Sequence, residues 1–414
     1  MNQPEMETLL ARQGIYDKSN TIFAYELLYR NKNDDQYANV DNSNERAGVR
    51  ATSSVISQLF TNLDIDTVIG NKLAFINFNY SDIVEQTPRL LPKDRIVIEV
   101  LENITIDQTL IGSLVDLHND GYKIALDDFI YRDELNPLIE IADIIKLDVL
   151  NLTEQEIIER IAPLQGYKGK LLAEKIDTKK LLNSCRELGF EYFQGFFLNK
   201  PDNVQVQAIT ENRSQILRVI AELNREDISV EHLEKLILHV PKLSYRILRI
   251  SNSVHYYSGK ANTSLTDAIY RLGLRRIRNW TNVLLLASSA DEFPDLLERT
   301  LLRAKMCELL ARNIEYPNPY EAYTVGIFSM LDIMLNEPMP ILLSQIQLAN
   351  NMSQALLNHS GELGQLLKYT IDYEQANFSE LENSPFSKGE LTSFYIQGID
   401  YTNIMLEIWN SQPA

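Results

Sequence analysis

The sequence predicts an α/β fold, a (β/α)8 TIM-like barrel, followed by an all-α domain. Three observations carry this. Seven short runs rich in Ile, Val, Leu and Phe lie in the first half. Helix-length stretches of mixed polarity separate the later ones. Beyond about residue 201 the strand-like runs stop and helical apolar spacing takes over.

The runs, in order, are "TIFAYELLYR" (21–30), "KLAFINFN" (72–79), "RIVIEVLEN" (95–103), "YKIALDDF" (122–129), "DIIKLDVL" (143–150), "GKLLAEKI" (169–176) and "YFQGFFLNKP" (192–201). Near-continuous apolar runs of this length suit strands buried on both faces, as in a parallel sheet. "TIDQTLIGSLVDLHNDG" (105–121) and "TKKLLNSCRELGF" (178–190) read as the connecting helices of βαβ units. The polar stretch 31–45 reads as a loop over the barrel mouth. From residue 208 onward, "AITENRSQILRVIAELNRE", "SVEHLEKLILHV" and "LLERTLLRAKMCELLARNI" carry the 3.6-residue period. These readings divide the chain into 1–205 and 206–400.

Each strand-like run carries a polar residue late in its length: Glu26, Asn77, Glu99, Asp127 with Asp128, Lys146, Glu174 and Gln194. Taken singly, Glu26 would be an ion-paired surface residue and Asn77 a strand-end cap. Taken together, they mark the C-terminal ends of barrel strands, which converge on one face. A buried carboxylate is costly without a positive partner. A set of mostly oxygen donors favours Mg²⁺ or Mn²⁺ over zinc.

Composition excludes other classes. The chain has 414 residues, 57 acidic against 39 basic, and a formal net charge of -18. That argues against sequence-independent binding of a nucleic-acid polymer. Arg271, Arg275, Arg276 and Arg278 therefore read as a solvated helix face. Tyr256, Tyr257, Tyr270 and Trp280 read as core rather than a stacking platform. The only cysteines, Cys185 and Cys307, have no metal-ligand spacing and suit a reducing compartment. No signal peptide and no run of about 18 apolar residues occurs, so a cytoplasmic location and no membrane span are expected.

The ordered motifs of the first half resemble the EAL-domain cyclic-di-GMP phosphodiesterases. "ELL" (26–28) takes the place of Glu-Ala-Leu, and Arg30 follows at the usual offset. "RQGI" (12–15) resembles Tyr-Gln-Pro-Ile and retains Gln13. "EVLE" (99–102), "LDDF" (126–129), "DIIKLD" (143–148), "LAEKID" (172–177) and "FQGFF" (193–197) match further motifs in family order.

The resemblance implies Glu26, Asn77, Glu99, Asp127 and Asp128 as metal ligands. It implies Lys146, Glu174 and Gln194 as catalytic, and Gln13 and Arg30 as nucleotide-binding. The implied reaction opens cyclic di-GMP to pGpG with two divalent ions, Mg²⁺ or Mn²⁺, which favours motility over biofilm. Two departures stand out. The loop "FIYRDELNPL" (129–138) lacks both family glycines, and Asp177 replaces the second Glu of Ala-Glu-Gly-Val-Glu. The competing reading is a catalytically degenerate scaffold that binds nucleotide or protein.

The second half resembles an HDOD domain. The match rests on "LSYRILRISNSVHYY" (243–257), with Asn252 and Ser253, on "SLTDAIYRLGLRRIRNW" (264–280) and on "LLNHSGELGQLLKYTIDYE" (356–374). None of the five histidines is followed by Asp, and "FSMLD" (328–332) loosely aligns where a metal-binding His-Asp pair would stand. This half is therefore expected to dock a protein partner rather than do chemistry. The resemblance also allows a homodimer.

Overall fold

The computed structural model describes residues 9–30, 65–195, 264–287, 295–335, 337–346 and 348–410; between 195 and 264 it describes 217, 219–225, 227–238, 247 and 251. The loop expected at 31–45, Tyr256, Tyr257, Asn252 and Ser253 lie outside the described residues. The chain forms two compact units. One comprises residues 1–200 together with Tyr373–Thr392; the other comprises 201–372 and 393–414.

The first unit is a closed barrel of strands β1 (Leu9–Tyr16), β2 (Ile22–Arg30), β3 (Leu73–Phe78), β4 (Ile96–Val100), β5 (Lys123–Leu126), β6 (Ile144–Asp148), β7 (Lys170–Glu174) and β8 (Tyr192–Phe193). One expectation needs correcting. The strands are not all parallel: β1 runs antiparallel to both β2 and β8, whereas β2 to β8 are parallel to their neighbours. The cause is local. Asp17 accepts hydrogen bonds from the Ser19 and Thr21 amides (2.8 and 3.0 Å), and Asn20 takes a left-handed φ of 56°. That tight turn joins β1 directly to β2, and a connection so short allows only antiparallel pairing.

The helices between strands start where the sequence supplies caps. Asp107 caps α3 (Gln108–Asn119) at the Leu110 amide, and Thr153 with Glu156 forms a capping box on α5 (Glu154–Ile161). Two further helices precede α3, α1 (Ile65–Ile69) and α2 (Tyr80–Val84), and α4 (Asn136–Ile141) precedes α5. Thr178 caps α6 (Lys179–Glu187).

One layer of the barrel core takes a residue from each of the first seven strands: Ile15, Ala24, Phe75, Val97, Ala125, Ile144 and Leu172. All are buried. Side chains on a strand alternate with period two. The next inward-facing layer therefore lies two residues further along each parallel strand, and two residues back along the reversed β1. This second layer reads Gln13, Glu26, Asn77, Glu99, Asp127, Lys146 and Glu174.

The second unit is helical among its described residues, with Val230–Leu238, Leu265–Leu272, Leu274–Ala287, Asp295–Asn313 and Pro319–Phe328 among its helices. Trp280 is buried as expected, but Tyr270 is 69% exposed and does not belong to the core. Both cysteines are buried. Among the described residues no single helix is long and apolar enough to cross a membrane.

Residues 373–392 group with the barrel unit although in sequence they lie between the two parts of the helical unit. The buried Tyr373 hydroxyl donates to the Leu10 carbonyl (2.8 Å), accepts from the Leu10 amide (3.3 Å) and lies 3.0 Å from the Thr392 hydroxyl.

Candidate active site

The second layer of the barrel is almost wholly polar, and its centre is an ammonium group. Lys146 Nζ lies 2.6 Å from Glu99, 2.7 Å from Asp127, 2.8 Å from Glu174 and 3.6 Å from Glu26. Lys146 and Glu99 are fully buried, and Glu26 and Glu174 are each 7% exposed. Four carboxylates thus face one buried cation, leaving three negative charges uncompensated if all are ionised. Gln194 donates a short hydrogen bond from Nε2 to Glu26 and is itself buried. Asn77 stands opposite Glu99 in the β3–β4 register, and Gln13 opposite Glu26 in the β1–β2 register.

The electrostatics follow from burial and proximity. Burial pushes the Glu99 carboxyl well above the ordinary range; Lys146 opposes this, while Glu26 and Asp127 add to it. Burial likewise pushes Glu174 up to about 8, against Lys146 and with Asp127 and Glu26. For Lys146, burial works against the ammonium. The surrounding carboxylates outweigh it and hold its pKa well above the lysine value. The cluster is tight by distance but poorly satisfied by angle. Neither Nζ nor either Glu99 oxygen has a partner in good hydrogen-bond geometry, and Gln194 Oε1 has none.

The same observation tests whether a divalent cation suits these residues. Among the described residues, no three His, Cys, Asp or Glu side chains form a ready-made metal cage; the carboxylates close on Lys146 instead. The donors are nevertheless hard oxygens, they converge on a cationic centre, and they carry excess negative charge. That chemistry suits a hard divalent cation.

Asp128, grouped with these residues by sequence, lies beside Asp127 on the wall of one cavity and is not among the carboxylates around Lys146. It follows Asp127 by one residue, beyond the end of β5 at Leu126, and it takes a left-handed φ of 39°. Its carboxylate lies 3.6 Å from Lys175 Nζ, which also forms a 2.6 Å ion pair with Asp148. Asp148 lies two residues beyond Lys146 and so one layer nearer the rim.

Lys175, which sequence reasoning passed over, follows Glu174 by one residue and also takes a left-handed φ, 56°. For a residue with a β-carbon this costs about 1–2 kcal/mol. The backbone here is held by β8: the Ile176 amide donates to the Gln194 carbonyl at 3.0 Å, and Gly195 packs on Ile176 so closely that a β-carbon would fall 2.2 Å from the Ile176 carbonyl oxygen. Burial works against the Lys175 ammonium, but the Asp148 bond and the fields of Asp128, Asp148 and Glu174 raise its pKa.

Arg30 closes β2, and its side chain lies outside the described residues. Glu102 accepts at its carbonyl from Arg132 (3.3 Å), which ties the rewired loop back to the end of β4. A cavity of about 410 Å³ opens beside Asp127 and Asp128, walled by Leu101, Ile104, Phe129 and Leu138.

The polar barrel layer and the helical second unit define a class, barrels joined to a helical domain. Comparison with known proteins makes the class specific. The EAL domain family matches residues 78–201, and the HDOD domain family matches residues 212–394. Over 415 residues the chain is 30% identical to YuxH of Bacillus subtilis strain 168, an uncharacterized protein, covering 97% of this chain and 100% of that one. It is 27% identical over 381 residues to the cyclic di-GMP phosphodiesterase CdgJ of Vibrio cholerae serotype O1, covering 91% of this chain and 87% of that protein.

Two solved structures are also similar. One is the PaMucR phosphodiesterase in complex with c-di-GMP (TM-score 0.39, 19% identity, 47% of this chain and 96% of that one). The other is the Bacillus subtilis YkuI protein, which has an EAL domain, in complex with c-di-GMP and calcium (TM-score 0.37, 18% identity, 65% of this chain and 73% of that one). The chain belongs to the family of two-domain EAL–HDOD proteins.

Proposed function

We propose that this chain is a metal-dependent phosphodiesterase that hydrolyses cyclic di-GMP to linear pGpG in the cytoplasm, and that its HDOD half docks a protein partner. The observation that carries this reading is the buried second layer of the barrel, four carboxylates around Lys146 with Gln194 and Asn77 beside them. The relationship to a named cyclic di-GMP phosphodiesterase of similar length supports it.

Mg²⁺ or Mn²⁺ held by Glu26, Asn77, Glu99 and Asp127 would supply Lewis-acid polarisation of a phosphoryl oxygen and an acidified water. The chain's own groups do the rest. Lys146 places a fixed positive charge in a water-poor site, where it offsets negative charge developing on the phosphorus-bound oxygens. Glu174, 2.8 Å from Lys146 in the same layer, is placed to take a proton from an attacking water. Gln194 fixes the orientation of Glu26 through its amide and keeps its carbonyl oxygen for water or substrate. The cavity beside Asp127 and Asp128 offers apolar walls to one face of the nucleotide. Gln13 and Arg30 flank the opposite side on β1 and β2. Lowering the messenger would favour motility over biofilm formation.

The test is hydrolysis of cyclic di-GMP by purified full-length protein with Mg²⁺ or Mn²⁺, followed by chromatography. Wild type should yield pGpG, and Glu26→Ala and Lys146→Ala should each lose at least 100-fold in rate. A folded wild-type protein that turns over nothing with either ion would overturn the enzymatic reading.

A further inference from the structure

The chain carries a second ammonium at the mouth of the barrel that the proposed reaction does not use. Lys175 sits directly after Glu174 in a left-handed conformation, φ 56°, where glycine is the residue of least strain. Asp128, on the next-but-one strand end, is also left-handed, at φ 39°. The two turns bring Lys175 Nζ to 3.6 Å from Asp128 and 2.6 Å from Asp148. Lysine thus stands at a strained position, its ammonium bonded to Asp148 and within ion-pair range of Asp128, the carboxylate that a second cation would need.

Two left-handed residues just beyond the ends of β5 and β7 make the arrangement. Asp127 and Glu174 face into the barrel and meet Lys146. Asp128 and Lys175 each follow by one residue, past the strand ends, and come within 3.6 Å of one another. Asp148, two residues beyond Lys146, rises to the same level and completes the pair. The rim therefore holds an acid–base–acid triplet of its own, separate from the buried cluster.

We propose that the Lys175 ammonium takes the place of a second divalent cation, so that the centre binds one metal ion per chain. This inference rests on the metal-dependent reading above and deepens it. An ammonium at the Asp128 carboxylate repels an incoming dication at that point and offers no ligand in return. Asp148 then holds Lys175 in place, and Asp128 faces an ammonium rather than a second ion. Lys175 is a positioning charge for the site.

The experiment is a Mn²⁺ titration of the full-length protein, read as free Mn²⁺ by electron paramagnetic resonance, for wild type, Lys175→Gly, Lys175→Met and Lys175→Arg. Glycine relieves the left-handed strain, so Lys175→Gly should fold at least as well as wild type, and circular dichroism checks this. Expected is one Mn²⁺ per chain for wild type and Lys175→Arg. Lys175→Gly and Lys175→Met should bind a second ion at least tenfold tighter than wild type does.

Two ions in wild type with the affinity seen in Lys175→Gly would overturn the inference. One ion in all four proteins would do the same. A second ion in Lys175→Gly but not in Lys175→Met would assign the effect to backbone strain and overturn the role of charge. No Mn²⁺ bound by any of the proteins would instead strike the metal-dependent reading itself, which separates the two failures.

Discussion

Replacing Lys146 with methionine is the perturbation that most directly tests the buried cluster. Methionine has similar length and bulk, so packing changes little. What is lost is the ammonium at 2.6–2.8 Å from Glu99, Asp127 and Glu174. Removing one partner of a buried ion pair costs about 3–5 kcal/mol, because the remaining charge is left without a partner. For a unit of this size each kcal/mol lowers the midpoint by about 2–4 °C, so the barrel transition should fall by roughly 6–20 °C.

The assay is differential scanning calorimetry of the full chain with chelator, and again with saturating Mn²⁺. The two units need not unfold together, so the transition is assigned by its response to metal. In chelator, Lys146→Met should be far less stable than wild type. In Mn²⁺ most of the difference should vanish, because a dication meets the same carboxylates. Equal stability of variant and wild type in chelator would refute the idea that Lys146 holds the cluster together. An equal loss with and without Mn²⁺ would refute the idea that lysine and metal share those carboxylates.

Two further outcomes follow from the same geometry. Glu174 titrates from about 4.5 in the unfolded chain to about 8 in the folded one, so between these values the folded state holds the extra proton. Its contribution is complete below the unfolded value and is lost as pH rises toward 8, so metal-free wild type should lose up to a few kcal/mol over that range, a slope that Glu174→Gln reduces while the raised Glu99 keeps the rest; denaturant melts in chelator at stepped pH check this. Tyr373→Phe deletes the hydroxyl that satisfies both backbone groups of Leu10. The barrel unit should lose roughly 1–3 kcal/mol in calorimetry, with the helical unit's transition unchanged.

Period two explains why so much of the site could be read before the fold was known. Each of Glu26, Asn77, Glu99, Asp127, Lys146 and Glu174 lies two residues beyond an apolar residue of the core layer. A polar residue late in an apolar run therefore marks both the inward face and the C-terminal end of its strand. Asp128 lies outside this logic: it stands two residues past the end of β5 in a left-handed conformation, where strand alternation no longer assigns a face. Lys175 was missed for a related reason: nothing local distinguishes a lysine aimed at a rim carboxylate from an ordinary exposed lysine. Its partners lie on two other strands, at positions 128 and 148.

The antiparallel first strand was missed as well. "LLARQGIY" was noticed for its motif and not as a strand, and the turn at Asp17 reverses it. The return of Tyr373–Thr392 to the barrel unit had no sequence signal, because a tyrosine hydroxyl that closes on a backbone 363 residues away leaves no periodic trace.

The buried cluster also bears on why such an arrangement would persist. Apolar residues at these layer positions would stabilise the barrel more than four carboxylates and a lysine do, since desolvating each charge costs several kcal/mol before pairing recovers part of it. Glu99 illustrates the cost: it is fully buried, and its carboxyl is driven far above its ordinary range despite a lysine at 2.6 Å. The layer beneath, from Ile15 to Leu172, is apolar and buried, so the fold does not lack the means to fill the barrel. Polar residues begin one layer below the open end and occupy every strand there. That placement concentrates destabilising charge where substrate can enter and keeps it out of the layer that closes the barrel. A stability deficit confined to one layer, and relieved by an added cation, is the signature of a site maintained for chemistry. The Lys146→Met melts with and without Mn²⁺ measure that relief directly.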